Sequence, residues 1–94
     1  MSDPLQHTAW NGRPERLRDV FIMTKVRAGA LTLSATCMLF THPKGCELRL
    51  AIDEHDWQAT SVVRSPRDVV KTAQHWRAAL ARKGWTDAPR PGVH

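Results

Sequence analysis

Hydrophobic and polar positions change period twice along this chain, and the changes mark its elements. Residues 1–16 keep no sustained period and carry Pro4, Gly12 and Pro14. They read as a flexible arm, with Leu5 and Trp10 as possible anchors. From Val20 to Arg27 the run Val20, Phe21, Ile22, Thr24 and Val26 favours extended structure. A helix from Pro14 to Val26, with Pro in its first turn, is the competing reading. Ala28-Gly29 reads as a tight turn, because Gly enters positive φ at no steric cost. Leu31–Thr41 follows as a long strand. His42-Pro43-Lys44-Gly45 signals the next turn, with Pro at its first central position. Cys46–Asp53 alternates cleanly, Cys46, Leu48, Leu50 and Ile52 against Glu47, Arg49, Ala51 and Asp53, as a half-buried strand does. Glu54-His55-Asp56 turns again, and Trp57–Arg64 makes a fourth strand.

At Ser65 the period changes from 2 to 3.6. Ser65 is placed to cap a helix, Pro66 suits its first turn, and Asp68 faces the positive end of its dipole. Val69, Ala73, Trp76 and Leu80 recur on one face, flanked by Val70 and Arg77. Arg82 and Lys83 close the last turn, Gly84 supplies a left-handed cap, and Trp85 is placed to fold back. A helix from 66 to 83 spans about 27 Å. Thr86–His94, with Pro89, Pro91 and Gly92, reads as a disordered tail. The expected fold is α+β: a four-stranded antiparallel meander and one C-terminal helix on one sheet face (ββββα). The expected organisation is an arm over 1–17, one domain over 18–85 and a tail over 86–94. Mostly local pairing predicts fast folding.

The expected register follows from pairing His42 with Cys46. Phe40 then opposes Leu48, Met38 opposes Leu50 and Thr36 opposes Ile52, and the helix covers that face. The other face holds Leu31, Leu33, Ala35, Cys37 and Leu39 beside Glu47, Arg49, Ala51 and Asp53. One helix cannot cover both faces, so this second face is expected to stay half apolar and open, as interaction surfaces are. Cys37 and Cys46 then point to opposite faces and cannot bridge.

Composition sharpens this picture in three places. Ninety-four residues make one thin-cored domain, and two cysteines are too few for a disulfide scaffold. The start MSDPLQHTAW lacks the basic and apolar run of a secretory signal, and no stretch approaches a membrane span. The expected location is the cytoplasm, with no membrane partner. The net charge is +5, and residues 65–94 hold a net +4 of it. Arg67, Lys71, Gln74, His75, Ala78 and Arg82 share the helix face turned from the core, with Lys83 beyond them.

Candidate chemistry is sparse. Cys37, His42, Cys46 and His55 fit no zinc spacing, so packed or surface side chains are the preferred reading. Asp53-Glu54-His55-Asp56 gathers carboxylates beside a histidine, but on a hairpin tip that reads as a solvated turn. No nucleophile motif or phosphate-cradling glycine loop is present. No cofactor, metal or small-molecule substrate is identified, and no enzymatic activity is expected.

The segments HPKGCELRL and RSPRDVVKTAQHWRAALARKGW resemble a class of short bacterial proteins. That class shares an HP-x-G turn, a following E-x-R strand and a closing W…KGW helix. The resemblance covers roughly residues 20–85. It implies the fold and no activity, since none is assigned to the class.

Two functions are expected in order. The first is a protein-interaction module: an adaptor, regulator or inhibitor. It pairs with a second copy or another protein through Leu31, Leu33, Cys37, Leu39 and Arg49. The second is a nucleic-acid-binding accessory protein using Arg67, Lys71, Arg82 and Lys83 to track phosphates.

Overall fold

A computed structural model describes residues 13–27, 31–53 and 55–88. The strands are β1 (Arg16–Arg27), β2 (Leu31–His42), β3 (Gly45–Ile52) and β4 (Asp56–Val63). Helix α1 (Pro66–Arg82) follows, then a short β5 (Thr86–Asp87). The sheet is antiparallel in the order β4-β3-β2-β1-β5. The architecture is therefore α+β with one C-terminal helix, and the sheet has five strands where four were expected. The competing helix over Pro14–Val26 does not form, since Arg16–Arg27 is strand. The expected turn at Ala28-Gly29 and residues 1–12 of the expected arm lie outside the described residues.

The fifth strand corrects the reading of the tail at its first residues. Thr86 pairs with Thr24 and Asp87 with Met23, and the Ala88 amide donates to the Ile22 carbonyl at 3.0 Å. The helix end directs the chain there. Gly84, at φ +93°, allows the Trp85 amide to donate back to the Leu80 carbonyl (3.1 Å) and its own amide to donate to Ala81 (3.1 Å). That pair of bonds is the Schellman closure. Trp85 is thereby turned inward and buried. Lys25 of β1 donates to the Lys83 carbonyl at 2.7 Å, and Arg77 of α1 forms a two-bonded pair with Asp87. At the other end Ser65 is extended, and its hydroxyl accepts from the Asp68 amide at 3.1 Å.

The register differs from expectation by one residue, and this decides which face is core. His42 pairs with Gly45 and Thr41 with Cys46, so the loop is Pro43-Lys44 alone. The Lys44 amide donates to His42 Nδ1 at 3.1 Å, closing this tight loop. Gly45 becomes a strand residue at φ +140°, and a Cβ there would lie 2.5 Å from the Val63 carbonyl oxygen. Only glycine lets the β2–β3 hairpin approach the end of β4 so closely. Because side chains alternate at period 2, a slip of one exchanges the whole of one strand's faces. Leu39 now opposes Leu48, Cys37 opposes Leu50 and Ala35 opposes Ile52. These pack with Val63, Val69, Leu80 and Trp85 into the core beneath α1.

Candidate interaction surfaces

Four of the five residues expected to form an interface lie on the helix side of the sheet. Cys37 (0 % exposed) and Leu39 (7 %) are buried in the core, and Leu33 is packed against it. Leu31 lies further along the same side of β2, beyond the core, and is exposed. Arg49 lies on the opposite face from Cys37, paired with Met38. The expected interface of Leu31, Leu33, Cys37, Leu39 and Arg49 is therefore split between two faces. Burial pushes the Cys37 thiol up to about 12, against the opposing pull of the Arg18 charge. Cys37 and Cys46 share the core face after all. They remain free because Cys37 opposes Leu50, four residues or about 13 Å along the strand from Cys46.

The helix-free face carries Thr36, Met38 and Phe40 of β2 and Glu47, Arg49 and Ala51 of β3. Its flanks are Ile22 and Val26 of β1 and Trp57 and Val62 of β4. Thr36, Met38 and Ala51 are buried at its centre, while Ile22, Val26, Trp57 and Val62 are exposed around them. Arg49 organises one end. Its guanidinium lies 4.4 Å from the Phe40 ring centroid and 5.5 Å from that of Trp57. The two rings meet edge to face at 6.5 Å. Glu47 accepts from Arg49 Nε at 2.8 Å, which helps to hold the guanidinium in place. Stacking of this kind is worth about 0.5–2 kcal/mol according to its exposure. The face is charge-balanced, because Arg16 also donates to Asp19 beside Phe40 and Met38.

Phe40 and Trp57 were not selected from the sequence as surface residues. Their juxtaposition needs the true register, which sets Phe40 opposite Glu47 and Trp57 opposite Ala51. The usable signal was Arg49 alternating with Glu47 on one strand, which places both on one face.

The helix surface matches expectation in placement. Arg67, Lys71, Arg82 and Lys83 are all exposed, and none enters an ion pair among the described residues. Among the described residues, no three His, Cys, Asp or Glu side chains converge as a metal site would need. Asp53 serves the fold instead: at φ +52° its carboxylate accepts from the Ser34 amide at 3.1 Å. Glu54 lies outside the described residues. No helix among the described residues is long and apolar enough to cross a membrane.

Compared with known proteins, the chain matches no family model, no curated protein and no solved structure.

Proposed function

We propose that this chain is a protein-interaction module that self-associates through its helix-free sheet face. The observation carrying this reading is the set of exposed Ile22, Trp57 and Val62 on the face that holds the Arg49–Phe40–Trp57 stack, with exposed Val26 further along β1. Trp and Arg are the residue types that most often dominate interface energetics. Charge favours a second copy as the occupant. The chain as a whole carries +5, but this face pairs Arg16 with Asp19 and Arg49 with Glu47. Two such faces meet without net repulsion, whereas two helix faces would bring like charges together. Light scattering on Val62→Glu tests this. Wild type has the mass of a dimer and the variant that of a folded monomer. A variant that keeps the wild-type dimer mass, or a monomeric wild type, refutes it.

Nucleic acid is the second reading, favoured by Arg67, Lys71 and Arg82 of α1, which enter no ion pair among the described residues. Arg67 and Arg82 stand fifteen residues apart, about 22 Å along the helix, enough to span several phosphates. The triple variant Arg67→Ala, Lys71→Ala, Arg82→Ala then loses single-stranded DNA binding and flattens its salt dependence. Affinity unchanged in the variant excludes the stripe.

A further inference from the structure

A cavity of about 340 Å³ opens where the β4–α1 junction meets β1 and β2. Its apolar wall includes Leu39, Cys46, Val63 and Val69, and its polar lining includes Arg18 and Arg64. The volume is at the lower end of the range for small-molecule sites. Among the described residues, no carboxylate lines it.

Arg18 is there because β1 is irregular. Two register shifts bracket it, one between Arg16 and Arg18 and one between Asp19 and Phe21. They leave Arg18 paired with Leu39, on the core side of the sheet, while Arg16 and Asp19 pair with Phe40 and Met38 on the other. Bulges re-aim side chains in this way and recur beside functional sites. Asp19, next in sequence, is bonded to Arg16 on the opposite face. Neither Arg18 nor Arg64 enters an ion pair among the described residues. Burial raises the Cys37 thiol beneath this site, and the charges of Arg18 and Asp19 both reach it, Arg18 opposing the rise and Asp19 adding to it. Two cations at an apolar cavity, with no carboxylate partner among the described residues, are an arrangement that an anion with a hydrocarbon tail completes. Ser65 and Pro66 also line the cavity, bringing the positive end of α1 alongside.

The geometry points to a binding site for a small amphipathic anion, its short apolar tail against Leu39, Val63 and Val69 and its head group between Arg18 and Arg64. This site is on the opposite side of the sheet from the proposed self-association face and does not depend on it.

Calorimetric titration of the full chain with octanoate, octanol and octylamine tests the proposal. Octanoate is expected to bind at least about tenfold more tightly than octanol, the scale of one charge-assisted contact, and octylamine not measurably. Arg18→Gln with Arg64→Gln, both exposed positions, brings octanoate to the affinity of octanol without changing the thermal midpoint. Val69→Trp fills the cavity and abolishes both. In wild type, octanoate also slows iodoacetamide modification of Cys46, which lines the cavity. The proposal is overturned if octanoate fails to bind, if octanol binds equally well, or if the double arginine variant keeps the wild-type affinity. None of these outcomes bears on the mass of the protein, so failure here leaves the self-association reading standing.

Discussion

Gly45 shows how much one residue decides in this protein. It sits at φ +140°, where L side chains are strained, and its missing Cβ leaves room for the Val63 carbonyl. Gly45→Ala must therefore distort either the hairpin or the end of β4. A stability loss of about 3 kcal/mol is expected in urea unfolding, the sum of backbone strain and displaced packing. A loss below 1 kcal/mol would mean that the approach is not constrained. Cys37 makes the second residue-scale prediction. Its folded-state thiol is raised from 9.0 to about 12 by burial. A raised acid contributes full stability below the unfolded pKa and loses it as pH rises toward the folded one. Stability should fall between pH 9 and 12, and more steeply in wild type than in Cys37→Ala. At neutral pH, iodoacetamide should label the half-buried Cys46 and spare Cys37 until the chain is unfolded. Equal labelling of both in the folded protein would contradict the burial.

At the scale of elements, the helix was the most legible part of the sequence. Its cap, dipole charges, apolar period and terminal Gly all act locally, and α1 runs from Pro66 to Arg82 as they indicate. The strands were legible as elements for the same reason. Their pairing was not. The choice between a two- and a three-residue loop at Pro43–Gly45 depends on Val63, eighteen residues away, and no local rule contains that contact. The displaced register then misassigned the β2 residues Leu33, Cys37 and Leu39, while Arg49 of β3 kept its expected face. The bulges that set Arg18 on the helix side of the sheet, and the pairing of Thr86–Asp87 with β1, are likewise tertiary choices. The two helix ends can be ranked by energy. Ser65→Ala removes a cap and should cost about 1 kcal/mol. Asp87→Ala removes an exposed ion pair with Arg77 and should cost under about 1 kcal/mol, since water screens it. Chemical unfolding of the two variants checks the order, and a larger loss for Asp87→Ala would show that β5 supports the helix more than its two ladder pairs suggest.

The whole molecule divides its surface by charge. Helix α1 presents cations to solvent, while the helix-free sheet face balances its charges and exposes aromatic and aliphatic side chains around Arg49. This division separates the two proposed functions spatially, so each can be removed without the other. Val62→Glu should abolish self-association and leave any nucleic-acid affinity intact, and the triple alanine variant should do the reverse. The central claim is that a second copy sits on the sheet face. Isotope-filtered nuclear Overhauser spectroscopy on a mixture of labelled and unlabelled chains tests it most directly. Contacts between chains should involve the side chains of Ile22, Trp57 and Val62. Contacts from Val70 and the exposed face of α1 instead, or no contacts between chains at all, would contradict it.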